Sequence, residues 1–308
     1  MPAGADSTLA DDPGPPAGRG AAMRRADRYP GKESMAAGRD GAGALPPNVP
    51  SPLFDTSVPH IARVYNYWLG GKDHFAADRE LAERFIKADP EVIAGVRANR
   101  AFLGRAVHFL AAKARLRQFL DIGTGIPTAN NTHEVAQRAA PDSRVVYVDN
   151  DPIVLAHARA LLTSDPDGVT DYIDADLRNT GAILAQAART LDFCRPVAVM
   201  LVGILQCIPD EDDPRGIVAA LMDAVPPGSY LAISHPAADV HAEARAGAAL
   251  LNEGLTTPVI FRTRAAIARF FDGLELVEPG LVSTSQWRSG ASADARPLAN
   301  WAGVARKT

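Results

Sequence analysis

The chain has 308 residues, 47% of them hydrophobic, and its 32 basic and 36 acidic residues leave a net charge of −4 and a pI near 6.0. That is enough apolar material for one large domain or two small ones, and it lacks the basic footprint of a nucleic-acid-binding protein. Only two cysteines, Cys194 and Cys207, are present, which excludes a disulfide framework and fits a reducing cytoplasm.

Residues 1–54 are rich in Pro, Gly and Ala, carry charges that nearly cancel, and show no period, so they read as a disordered tail. Their basic residues are not followed by an apolar h-region, so no secretory signal is expected. No segment of the chain is apolar for long enough to span a bilayer, and no membrane association is expected.

Residues 55–116 read as a helical cap or lid. Ile61, Val64, Tyr65 and Trp68 recur at three- and four-residue steps. Gly70-Gly71 interrupts, a helix resumes over Asp73–Lys87, and a longer one covers Glu91–Ala114. Arg63, Tyr65, Tyr67, Trp68, Lys72, His74 and Phe75 make a polar-aromatic cluster around the two glycines. Aromatics at this spacing usually belong to a core. A double glycine weakens a helix unless it serves another use, and this favours a lid whose aromatic faces could hold a cation.

From residue 117 to the end, strands and helices alternate. Strands are expected at Gln118–Ile122, Arg144–Val148, Val169–Ile173, Val197–Val202, Ser229–Ser234, Leu274–Val277 and Ala302–Ala305. Helices are expected at Thr128–Ala139, Pro152–Leu162, Thr180–Arg189, Asp212–Ala224 and Thr263–Phe271. Such alternation predicts an α/β fold, a mainly parallel sheet with helices on both faces, whose ligand lies beyond the carboxyl ends of the strands.

Those ends carry the chemistry. The first strand ends at Asp121 and runs into Gly123-Thr124-Gly125. Gly123 and Gly125 let the backbone turn sharply and let a ligand approach without a Cβ in the way. Pro127 would suit the first turn of a helix, whose free N–H groups can face an anionic group. Asp149 ends the second strand, where a carboxylate can bind ribose hydroxyls. Asn150 or Asp151 can cap the following helix at Pro152.

A dinucleotide fingerprint needs a third glycine at position 128, where this chain has Thr128, and Asp121 would oppose a pyrophosphate. S-adenosylmethionine instead presents an ammonium that an acid can attract. Asp176 then faces the adenine amino group, the Leu177 N–H faces a ring nitrogen, and Gly203, after the fourth strand, allows close approach under the sulfonium. Gln206, Tyr65 and His235 are the weaker candidates on the acceptor side. A neutral His235 could act as a general base, and a structural histidine is an equal reading. The acidic run Asp210–Asp213 complements a helix start. The seven histidines show no ligand spacing, and no metal is expected.

These motifs resemble the bacterial S-adenosylmethionine-dependent methyltransferase family DUF574. The resemblance rests on Ala62–Phe75, Val96–Phe102, Asp121–Thr128, Tyr147–Pro152, Ala175–Arg178, Phe271–Gly280 and Trp301–Val304. It covers the chain from about residue 55 onward and departs from the family pattern at Asn66 and His74. It implies a Rossmann-like class I methyltransferase with a seven-stranded sheet whose last strand, Trp301–Arg306, is antiparallel. It also implies cofactor contacts from Asp121, Gly123, Gly125, Asp149 and Asp176.

The expected function is methyl transfer from S-adenosylmethionine to a small-molecule acceptor in the cytoplasm. An Asn/Asp-Pro-Pro-Tyr signature is absent after the fourth strand, where Leu205–Pro209 stands instead, and this leans away from nucleobases. The rivals are a non-catalytic S-adenosylmethionine sensor and a nicotinamide oxidoreductase, which Thr128 disfavours.

Overall fold

Side chains that alternate along five short β-branched runs set the architecture. The computed structural model describes residues 55–161, 164–290 and 296–308, and the tail expected over 1–54 lies outside the described residues. The strands are β1 (Gln118–Ile122), β2 (Arg144–Asp149), β3 (Val169–Asp174), β4 (Ala198–Val202), β5 (Tyr230–Pro236), β6 (Glu275–Leu276), β7 (Val282–Ser283) and β8 (Asn300–Arg306). They form one sheet in the order β3-β2-β1-β4-β5-β8-β6, with β7 also paired to β8.

Pairing is parallel from β3 through β5 and antiparallel between β5 and β8. The two-residue strands β6 and β7 pair with the opposite ends of β8, so eight strands occupy seven lanes. Strand order reverses between β1 and β4, where the crevice of a parallel α/β sheet opens.

The helices are α1 (Ile61–Trp68), α2 (Ala76–Ala88), α3 (Val92–His108), α4 (Thr132–Ala139), α5 (Pro152–Leu161), α6 (Thr180–Ala187), α7 (Pro214–Asp223), α8 (Ala242–Gly254) and α9 (Arg264–Ala268). Period-two side chains divide the core. Leu120, Ile122, Val146, Val148, Leu201 and Ile233 face α6, α7 and α9 through Ile183, Leu221 and Ile267. Phe119, Val145, Tyr147, Met200 and Ala232 face α3 and α4 through Phe102, Val107 and Val135. Each fully buried side chain of this kind stabilises the fold by about 1.5–3 kcal/mol.

The helical N-terminal segment divides by what it packs against. α3 lies on the sheet. α1 and α2 join α8 in a third cluster of Val64, Trp68, Leu81, Phe85, Leu251 and Val259. The helix α8 is absent from the sequence expectation. Its Gly247 and Gly254 allow the close contact, since a Cβ there would come within 2.6 Å of Phe85 and 2.9 Å of Leu81. Among the described residues, no helix is long and apolar enough to cross a membrane.

Gly70 and Gly71 have structural uses of their own. Gly70, at φ +81°, ends α1 in the left-handed conformation of a helix C-terminus. At Gly71 a Cβ would stand 2.4 Å from the Asn66 side chain, whose Oδ1 accepts from Asp73 N at 3.0 Å. The aromatic cluster around them is divided. Trp68 packs on Phe85, and Arg63 lies over Phe75. Tyr67 donates to Glu83 and meets His74 edge-on. Tyr65 faces the cleft described below.

Candidate active site

The carboxyl ends of β1 and β2 are joined through the glycine turn. Gly123 N donates to Val148 O at 2.8 Å, and Gly125 N donates to Asp149 Oδ2 at 2.9 Å. Both glycines have positive φ, +75° and +66°. Their needs differ. A Cβ on Gly123 would come within 2.4 Å of Ile204, whereas one on Gly125 would project into open space within the cleft. The turn thus packs tightly against the loop after β4 on one side and leaves a cradle on the other. Thr124 Oγ1 closes the bend by donating to Asp121 O at 3.3 Å.

The helix expected from Thr128 begins instead at Thr132. Residues 126–131 form an irregular turn with Asn130 at φ +60°, so Pro127 lies outside the helix. Its first turn serves a protein carboxylate. Thr132 Oγ1 donates to Asp121 Oδ2 at 2.6 Å, and Glu134 Oε2 accepts from the N-cap Asn131 N at 3.1 Å. Asp121 is 5% exposed. Burial, reinforced by the nearby Asp149 carboxylate, pushes its carboxyl up to about 6 against the pull of Thr132 and Arg100. Burial likewise raises Asp149, whose Oδ1 accepts from Asp151 N at 3.0 Å. Asp151 caps α5 through Ile153 N at 2.8 Å and pairs with His60 Nδ1 at 3.0 Å.

Beyond β3, Asp176 is held by Arg178, which reaches its two oxygens at 3.1 and 2.9 Å, and Asn150 Nδ2 adds a bond at 3.2 Å. The loop after β4 carries Gly203 at φ +74°, and Gln206 Nε2 donates to Gly203 O at 2.6 Å. The other end of that amide, Gln206 Oε1, is buried without a hydrogen-bond partner.

These positions line one cleft of about 200 Å³. It brings together Asp121, Gly123, Thr124, Gly125, Asp149, Asn150, Asp176, Leu177, Gly203, Gln206 and Tyr65. α1 covers it with Ile61, Asn66 and Leu69, and α3 adds Asn99 and Arg100. Asn99 ties three elements together. Its Nδ2 donates to Tyr65 Oη at 3.0 Å and its Oδ1 accepts from Ser234 Oγ at 2.6 Å. Sequence reasoning missed His60, Asn66, Asn99, Arg100 and Thr132. Asn99 and Arg100 fall in the Val96–Phe102 motif, which was the one signal available for them.

His235 stands apart from the cleft. It is fully buried. Its Nε2 accepts from Arg262 Nη1 at 2.9 Å, and its Nδ1 therefore donates to Pro236 O at 2.9 Å. Burial lowers it to about 3, both ring nitrogens are bonded within the protein, and it lines neither the cleft nor its neighbouring chamber. It is the structural histidine of the two sequence readings. Arg262, 6% exposed and unmarked in the sequence, also bonds Leu205 O at 2.9 Å, Ile208 O at 2.7 Å and Asp210 Oδ1 at 2.6 Å, fixing the loop that carries Gln206. The acidic run is shared out: Asp210 to Arg262, Asp212 to Arg178 and Asp213 to the first turn of α7. Among the described residues, no group of His, Cys, Asp or Glu is placed to hold a metal.

A parallel sheet of this order, an antiparallel strand beside β5, and acids at successive strand ends around a glycine bend define a Rossmann-like S-adenosylmethionine-dependent methyltransferase. The chain belongs to the S-adenosyl methyltransferase family, whose model matches residues 48–308. It is similar to the crystal structure of a DUF574 family protein from Streptomyces avermitilis MA-4680, at 45% identity over 82% of this chain and 99% of that one, with a TM-score of 0.79. It is also similar to a protein from Thermobifida fusca YX, at 43% identity over 84% of this chain and 99% of that one, with a TM-score of 0.78. No curated protein matches it. The protein is therefore an enzyme that uses S-adenosylmethionine.

Proposed function

We propose that the acceptor of the methyl group is a small molecule. One observation carries this reading. A second chamber of about 90 Å³ adjoins the cofactor cleft and shares Ile61, Tyr65, Asn99, Gly203 and Gln206 with it. α1, α2, α3 and α8 surround it with Trp68, Phe85, Val96 and Leu251, so the middle of its wall is apolar. Concave, apolar sites of this kind suit small ligands.

The residues of the cleft fit the cofactor. Asp121 would face the ammonium, Asp149 the ribose hydroxyls, and Asp176 with the Leu177 N–H the adenine edge. Gly125 leaves the space a Cβ would fill, and Gly203 allows close approach beneath the sulfonium. When bound, the cofactor would supply an electrophilic methyl carbon on a sulfonium leaving group. The chain's own contribution is alignment and exclusion of water.

The throat between the chambers holds no base poised near neutrality among the described residues. Burial raises the Tyr65 hydroxyl, and burial pushes the Cys207 thiol up to about 12. Gln206 Oε1 can accept a hydrogen bond from the incoming nucleophile, whose proton leaves with the methylated product and is lost once that product reaches solvent. Cys194 and Cys207 are free thiols, which supports a cytoplasmic location.

Incubating the enzyme with cell extract and methyl-labelled cofactor tests the acceptor class. Label should appear in a small-molecule fraction by mass spectrometry. Label confined to protein or nucleic acid overturns the reading.

A further inference from the structure

The second chamber has two unlike ends. α3 forms one wall with Val92, Gly95, Val96 and Asn99, a run on a single helical face. At 1.5 Å per residue, Val92 and Asn99 stand about 10 Å apart along the helix. The Asn99 end is the throat, where Gln206 Oε1 is buried without a hydrogen-bond partner. At the other end stand Asp89 and Glu91. Between them the walls are apolar, from Trp68, Phe85, Leu251 and Val259.

The two acids differ. Glu91 is paired with Arg296 Nη1 at 2.8 Å, and His241 Nε2 lies 3.4 Å from it. Asp89 is 5% exposed and makes no ion pair among the described residues. Among the described residues its carboxylate accepts one hydrogen bond, from Glu91 N at 3.1 Å. Burial raises its carboxyl, with Glu91 and Glu243 adding to the rise and His241 opposing it. A buried carboxylate without a cation is costly, and a ligand that brings the cation relieves the cost.

We propose, resting on the small-molecule reading above, that the acceptor is an elongated apolar amine. Its ammonium sits on Asp89, its hydrocarbon or aromatic body lies along α3 between Phe85 and Leu251, and its nucleophilic atom, bearing a hydrogen for Gln206 Oε1, reaches the throat at the opposite end. Asp89 selects the charge of the acceptor, and the distance to Asn99 selects its length.

The test uses the full chain loaded with S-adenosylhomocysteine. The probes are phenylalkylamines with two to four methylenes, each set beside the phenylalkanol of equal length. Binding is read by thermal unfolding and calorimetry. The amines should bind about tenfold more tightly than the matching alcohols, as a charge-assisted hydrogen bond supports. Asp89→Asn should erase that preference. The heat of S-adenosylhomocysteine binding to the variant alone checks that its cofactor cleft is intact, and the wild-type comparison of amine with alcohol needs no variant. Equal binding of amines and alcohols, or a preference that survives Asp89→Asn, overturns the proposal and leaves the small-molecule reading standing. If neither class binds the loaded protein, the reading of the chamber as an acceptor site falls, and the proposal with it.

Discussion

In the proposed cofactor site, Asp121 meets two opposing demands. In the free enzyme its burial favours the neutral acid, and the carboxyl stands near 6 instead of the ordinary 3.8. Beside the ammonium of the cofactor or of its demethylated product, the ionised form is favoured. The folded value is above the unfolded one, so Asp121's contribution to stability is full below about pH 4 and is lost as pH rises through about 6. Ligand binding runs the other way. Affinity for S-adenosylhomocysteine should fall by up to about tenfold per pH unit below pH 6, and binding should release protons there. Calorimetry from about pH 5 to about pH 8, in buffers of different ionisation enthalpy, reads both. Asp121→Asn, which keeps an oxygen for Thr132, should flatten the profile. An affinity that is level across this range in the wild type would show that Asp121 does not meet the ammonium.

At the scale of elements, α1 and the turn after it hang on one buried acid. Asp78 is fully buried at the start of α2. It accepts from His60 N at 2.9 Å and from Phe75 N at 2.8 Å, and its Oδ1 lies 3.2 Å from Arg63 Nε. Arg63 is itself 3% exposed. Removing the acid leaves a buried cation and two amides without partners, a loss of about 3–5 kcal/mol. Asp78→Ala should therefore release residues 58–75 from hydrogen-exchange protection while β1, β2 and β4 keep theirs. Cofactor affinity should drop with it, because Ile61, Tyr65 and Asn66 line the cleft. Loss of protection across the whole sheet would mean that this segment does not open by itself.

Such elements were legible in the sequence to different degrees. Of the five parallel strands, β1, β2, β4 and β5 announced themselves because each is a short apolar run ending at a turn or an acid. α8 was hidden. Its run of alanines and glycines has weak periodicity, and its small residues make sense only once Phe85 and Leu81 are seen against Gly247 and Gly254. That the glycine turn and the three acids line one cleft was readable because close approach and charge need particular residue types. His235 stayed open between two readings because a strand end places a residue near a site without saying which way it faces. Arg262 was silent because a hub that bonds distant backbone and side-chain atoms leaves no local pattern, and Asn99 was marked only by the motif that contains it.

Across the whole molecule, the cofactor cleft is where two differently supported bodies meet. The sheet is buried on both faces by two large apolar clusters. α1, α2 and α8 share a third and smaller one. Hydrogen bonds through Asn99 and the pairs His60–Asp151 and His157–Asp73, at 3.0 and 3.2 Å, join the helical cap to the rest. Few buried contacts and partly exposed pairs mark a region that opens below the global unfolding free energy. A ligand that binds only when α1 is seated adds its binding free energy to that local closure, about 2.7 kcal/mol at a hundredfold excess over Kd. Saturating S-adenosylhomocysteine should then slow amide exchange in α1 by up to about a hundredfold. The central strands β1 and β4, which open only with the whole fold, should gain no more than the global increment. If exchange in α1 is unchanged while the loops after β1 and β2 are protected, the cofactor binds without the cap, and α1 is a fixed wall and not a lid.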